Sequence, residues 1–161
     1  MLEFSLVRLV TRSEQETESL GETLASILQP GAIVGLTGPL GAGKTAFVRG
    51  IARGCGVAEG VVHSPTFLTA AEYEGHPNVT HLDLYRHEEM LPDADWLAEI
   101  LDGDGIAVVE WFERLAAERP PESLEVSMTY GESEDVRVLE FRARGPRAEQ
   151  VLGDFASRRA S

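Results

Sequence analysis

Gly38 to Thr45 reads GPLGAGKT, and these residue types at this spacing bind phosphate. The pattern is G-x-x-x-x-G-K-[ST], preceded by the apolar run Ala32 to Leu36 with β-branched Ile33 and Val34 and followed by an amphipathic stretch with Phe47, Val48 and Ile51 on one face. Strand, loop and helix in that order aim successive main-chain N–H groups and a helix N-terminus at one point, which suits an anion. The expected cradle runs through Gly38, Pro39, Leu40, Gly41, Ala42, Gly43, Lys44, Thr45 and Ala46. Lys44 supplies a mobile charge for the β- and γ-phosphates, and the Thr45 hydroxyl is a hard oxygen ligand suited to Mg²⁺. Of 14 basic residues 13 are arginine, and Lys44 is the only lysine. A compact ammonium stands where a planar guanidinium fork would not suit.

Two acids complete a candidate site. Ile106 to Glu110 (IAVVE) is four apolar residues ending in a carboxylate, the signature of a buried parallel strand with an acid at its tip. Val79 to Tyr85 (VTHLDLY) alternates, with Leu82 and Leu84 on one side and His81, Asp83 and Tyr85 on the other. A lone strand-end acid is usually only solvated. Beside a phosphate loop, Glu110 and Asp83 are candidates to hold a metal or orient a water. Thr66, in the Ser64-Pro65-Thr66 connection, either reaches the γ-phosphate or its metal or belongs to a polar turn. The segment Thr11 to Glu14 either lies beside a bound base or serves as a helix cap, so Glu14 is a candidate nucleotide contact.

The elements that must position these residues follow from periodicity. Residues 2 to 10 predict a strand with Leu2, Phe4 and Leu6 as its apolar stripe. Ser13 and Glu16 form a capping box before Leu20, Leu24, Ile27 and Leu28, and Pro30-Gly31 stops that helix. Phe67 to Tyr73 predicts a further strand. Leu91 to Leu101 predicts a short helix with Trp96, Leu97, Ile100 and Leu101 inward. Trp111 and Phe112 read as core or rim packing, and Pro120-Pro121 closes the next helix. Leu124, Val126, Met128 and Tyr130, answered by Leu139, Phe141 and Ala143 across a turn at Gly131 to Asp135, predict an antiparallel hairpin. Pro146 opens a last helix with Val151, Leu152 and Phe155 inward. The predicted fold class is α/β, a mainly parallel central sheet with the C-terminal hairpin at its edge, in one domain over residues 1–161.

Composition bounds the function. With 27 acidic and 14 basic residues the formal net charge is −13, which argues against stand-alone binding of DNA or RNA. It does not forbid a nucleotide, because charge screening acts over about 8 Å while the loop acts at hydrogen-bond distance. No apolar run is long enough to span a membrane, no signal peptide is legible, and a single cysteine, Cys55, excludes an internal disulfide. Cytoplasmic residence and no membrane partner are expected.

Four stretches together resemble the bacterial TsaE (YjeE-like) ATPases of tRNA threonylcarbamoyladenosine synthesis: GPLGAGKT at 38–45, SPTF at 64–67, HLDLYR at 81–86 and VEW at 109–111. The phosphate loop alone says only nucleotidase. HLDLYR and VEW are the selective pair. The resemblance implies a three-layer phosphate-loop fold and Mg²⁺-dependent ATP hydrolysis that is weak until partners engage. It implies that Thr45 and Glu110 contact Mg²⁺, that Asp83 is a metal or water-shell acid, and that Thr66 belongs to a switch-like segment. The implied partners are the TsaD and TsaB proteins, whose complex transfers threonylcarbamoyl to an adenosine beside the tRNA anticodon. The ATPase would reset that complex and meet tRNA only indirectly. Two positions depart from the family pattern: Pro39 stands where an acid is common, and Phe112 where proline often follows VEW.

Two other classes share the phosphate loop. A small-molecule or nucleotide kinase would close an arginine-bearing lid over the transferred group, yet between Arg86 and Arg114 the chain has no Lys or Arg. A nucleotide-gated binding module would need occupancy without turnover.

Overall fold

The computed structural model describes residues 6–63, 70–86 and 92–160. The predicted Thr66, the rest of SPTF, and Leu2, Phe4 and Leu91 lie outside the described residues. The chain runs β1 (Leu6–Thr11), α1 (Glu14–Ala25), β2 (Ile33–Thr37), α2 (Lys44–Gly54), β3 (Ala70–Tyr73), β4 (Val79–Asp83), α3 (Ala94–Leu101), β5 (Ile106–Glu110), a 3-10 helix (Phe112–Glu118), β6 (Ser123–Tyr130), β7 (Arg137–Arg144) and α4 (Pro146–Ala160).

Among the described residues the strands form one seven-stranded sheet in the order β1-β7-β6-β2-β5-β4-β3. The central four are parallel and both flanks are antiparallel. The C-terminal hairpin is antiparallel as expected, and β1 lies outside it as the edge strand. Central strands are buried on both faces, which is why they are nearly continuous apolar runs. Val34 and Leu36 of β2, with Ile106 and Val108 of β5, face α1, α2 and α4, while Ile33, Ala107 and Val109 face α3 and the 3-10 helix. The result is three layers with a core on each side of the sheet.

Local expectations fail where tertiary position overrides pattern. Leu6 is 47% exposed, and the inward residues of β1 are Val7 and Leu9, because an edge strand has only one covered face. Helix α1 ends at Ala25, where Ser26 turns its hydroxyl back onto the Thr23 carbonyl, short of Pro30. Strand β4 stops at Asp83, whose Oδ1 accepts the Tyr85 N–H at 2.9 Å in an Asx turn. Trp96 does not face the core: it is 37% exposed, because the short α3, capped by Asp93, buries the stripe Leu97 and Leu101, one residue and so about 100° away. Tyr130, at the end of β6, is 54% exposed and leaves the hairpin's buried face for a task described below.

Helices α1 and α2 approach so closely that a Cβ on Gly50 would lie 1.9 Å from the Glu18 carbonyl oxygen. Glu18 also pairs with Arg49 and Arg53 across the same seam. Gly50→Ala is therefore expected to cost about 1–3 kcal/mol by overpacking, a fall in Tm of roughly 3–10 °C. Thermal unfolding followed by circular dichroism checks it.

Candidate functional site

The loop leaves the tip of β2 at Gly38, where φ is +140° and a Cβ would meet the Met128 carbonyl oxygen at 2.2 Å. Only glycine fits. Gly43 precedes α2 in the left-handed region, and the helix begins at Lys44. Ala42 and Ala46 are buried, while Pro39, Leu40 and Gly41 form an exposed rim. The hairpin braces that rim from behind: Tyr130 donates its hydroxyl hydrogen to the Leu40 carbonyl, and Arg137 Nη2 donates to the Gly41 carbonyl at 3.2 Å. The Arg137 guanidinium also lies 5.0 Å from the Tyr130 ring centre.

Lys44 is 5% exposed. Its ammonium donates to the carbonyls of Gly38 and of Pro39, the latter at 2.9 Å, and sits 4.2 Å from the centre of the Trp111 ring. Trp111 adopts φ +60° directly after β5, and that turn carries the indole over the loop. Burial pushes the Lys44 pKa down, and the negative charges of Glu110, Glu113 and Asp83 oppose the shift. The charges of three acids thus act on this one ammonium.

Sheet register explains why they converge. Leu36 of β2 pairs with Glu110 of β5, and Glu110 pairs with Asp83 of β4, so Glu110 stands at the tip of the strand beside the one that bears the loop and Asp83 at the tip of the next strand out. Glu110 is 3% exposed, and its Oε2 lies 2.6 Å from His81 Nε2. Asp83 is half-buried. Desolvation raises its pKa, the Tyr85 N–H bond lowers it, the neighbouring Glu110 charge raises it, and His81 and Lys44 lower it. A carboxyl whose folded pKa is raised destabilises the ionised native state, and the deficit disappears as pH falls through that raised value. Asp83→Asn keeps the acceptor for Tyr85 and is expected to raise Tm at pH 7 by about 1–2 °C, with the gain shrinking on acidification. Melting curves from pH 7 to 4 check it.

Lys44, Thr45, Asp83 and Glu110 are thus assembled at one end of the sheet. Glu14 stands at the start of α1, exposed and paired with Arg49 of α2. Among the described residues no group of three His, Cys, Asp or Glu side chains converges as a ready-made metal cage. Mg²⁺ seldom has one, since it keeps waters and takes one or two carboxylates with substrate phosphates. A hydroxyl and two carboxylates, all hard oxygen donors, fit that mode. A cavity at the other end of the sheet, lined by Ile27, Ser123, Leu124 and Val151, contains none of these residues.

Several residues of the site escape sequence reasoning. Arg114 donates to the carbonyls of Leu84 and Tyr85 and lies 4.9 Å from the Trp111 ring centre. Tyr130 and Arg137 touch the loop across 90 and 96 residues of chain. His81 carried two signals, its place on the Asp83 side of an alternating strand and its position at the head of the HLDLYR stretch; the others carried none.

Comparison with known proteins supports a family assignment. Residues 11–139 match the model of the family described as threonylcarbamoyl adenosine biosynthesis protein TsaE. A tRNA threonylcarbamoyladenosine biosynthesis protein TsaE from Treponema pallidum is 40% identical over 123 residues, 76% of this chain and 90% of that protein. Its counterpart from Bacillus subtilis is 35% identical over 147 residues, 91% of each chain. The crystal structure of Bacillus subtilis YdiB superposes with a TM-score of 0.82 at 30% identity, covering 97% of both chains. Among the described residues no helix is long and apolar enough to cross a membrane. With a phosphate loop, two strand-tip acids and this spread of matches, the chain belongs to the TsaE family of tRNA threonylcarbamoyladenosine biosynthesis.

Proposed function

We propose that this chain is a Mg²⁺-dependent ATPase that engages the TsaD–TsaB complex and resets it between rounds of tRNA threonylcarbamoyladenosine formation. One observation carries the reading: the β2–β5–β4 register sets Glu110 and Asp83 beside the loop whose lysine they surround electrostatically. Main-chain N–H groups of residues 40–46 hold the phosphates, and Lys44 leaves its loop carbonyls to meet the charge that develops on the transferring phosphoryl group. Thr45, Glu110 and Asp83 would hold Mg²⁺ directly or through water; the ion supplies charge neutralisation between phosphate oxygens. The Thr11 to Glu14 segment offers the base a wall. Thr66 is the proposed sensor of the γ-phosphate.

The net charge of −13 supports tRNA being held mainly by the partners rather than by this chain. Residence follows the partners and is proposed to be cytoplasmic. A phosphate-release assay with purified protein, with and without TsaD–TsaB, tests the reading. ATP turnover that requires Mg²⁺ and rises with the partners supports it. A phosphorylated small acceptor instead of free phosphate would favour a kinase, and repeated tRNA modification on a non-hydrolysable analogue would favour a gated binding module.

A further inference from the structure

Tyr73, His81 and Glu110 come from three adjacent strands and meet inside the protein on the sheet face that carries α2. His81 is fully buried, Tyr73 is 5% exposed and Glu110 3%. The His81 ring bridges the other two: Nε2 lies 2.6 Å from Glu110 Oε2, and Nδ1 lies 3.0 Å from the Tyr73 hydroxyl. Tyr73 in turn donates to the His63 carbonyl at 3.1 Å. Both ring nitrogens are therefore engaged, Nδ1 by the phenol oxygen and Nε2 by the carboxylate.

We propose that His81 is a positioning residue for Glu110, locked in turn by the Tyr73 hydroxyl, so that a buried row of hydrogen bonds from the residue-63 backbone to the strand tip fixes the carboxylate's orientation. This rests on the proposed role of Glu110 in handling the metal or its water. A glutamate has three side-chain torsions, and a carboxylate free to turn would present its second oxygen in many directions. Holding Oε2 removes that freedom. Desolvating an imidazole, a phenol and a carboxyl is costly unless every polar atom finds a fixed partner. Apolar residues would fill β3 and β4 at less cost, so three polar groups here point to a requirement at Glu110 rather than to packing. The outer partners of metal-binding groups work this way generally, and losing one costs about 10- to 100-fold in affinity or activity.

The test uses the full chain with its partners and four proteins: wild type, His81→Leu, His81→Gln and Tyr73→Phe. Two quantities are read, ATP turnover as kcat and KM, and the tightening of ATP binding that Mg²⁺ produces, by calorimetry. His81→Leu is expected to lower kcat about 10- to 100-fold and to lose most of the Mg²⁺-dependent tightening, with metal-free nucleotide affinity within about twofold of wild type. His81→Gln, whose amide N–H reaches the place of Nε2, is expected to recover most of both. Tyr73→Phe keeps the ring and its packing, so it remains informative should His81→Leu fail to fold; it is expected to lower kcat severalfold with unchanged KM. The proposal is overturned if His81→Leu or Tyr73→Phe matches wild type in both readouts, or if His81→Gln is as impaired as His81→Leu. A wild-type protein whose ATP binding ignores Mg²⁺ and that turns over no ATP with its partners overturns the ATPase reading, and this one with it.

Discussion

Lys44→Ala, assayed with TsaD–TsaB and saturating Mg²⁺, is expected to hydrolyse ATP about 10²- to 10³-fold more slowly than wild type, the usual cost of removing one preorganised charge from the transition state. The loss should fall on kcat as well as on nucleotide affinity, because phosphate charge grows as the bond to the leaving oxygen stretches. Lys44→Arg should not restore the rate. The ammonium occupies a slot between two loop carbonyls and the Trp111 ring, 4.2 Å from the ring centre, and a planar fork is too wide for it. Folding should be spared, since burial already pushes the Lys44 pKa down and removing a desolvated cation costs the native state little. Phosphate release and a melting curve on the same preparation separate the two effects.

Glu110→Gln is the second large effect, an expected loss of about 10²-fold or more in turnover with a higher Mg²⁺ requirement. Glutamine keeps a polar group against His81 and removes the negative charge, so it isolates the electrostatic contribution. Glu110→Ala is less clean. It would leave Nε2 of a fully buried imidazole without its 2.6 Å partner, at a further cost of about 1–3 kcal/mol in stability. A Mg²⁺ titration of turnover for both variants, beside their melting temperatures, separates lost charge from lost structure.

What the amino-acid sequence revealed is what short-range rules govern. The phosphate loop depends on residues within eight positions of one another, and it folds as its pattern dictates, glycine at φ +140° included. The same holds for β5, whose apolar run matches Ile106–Glu110, and for the Ser13 cap, which accepts the Glu16 N–H at 3.1 Å. Alternation also put His81 and Asp83 on one side of β4. Long-range pairing was hidden. Nothing in the order of residues says that Tyr73 lies across from Val79, or that the β4–β5 register brings His81 within reach of Glu110. Tyr130 looked like the last inward residue of a hairpin strand; its strand outruns the covered face, so its hydroxyl reaches the Leu40 carbonyl instead. Trp96 misled for a related reason: hydrophobicity marked it for the core, whereas the short turn of α3 needed only Leu97 and Leu101 there.

A crystal structure of this protein grown with Mg²⁺ and a non-hydrolysable ATP analogue tests the central claim most directly. The account predicts the triphosphate wrapped by main-chain amides of residues 40–46, Lys44 Nζ within hydrogen-bond distance of the γ-phosphate, and one Mg²⁺ on the Thr45 hydroxyl with Glu110 or Asp83 in its first or second coordination sphere. An analogue seated elsewhere, or a metal remote from both acids, would contradict it.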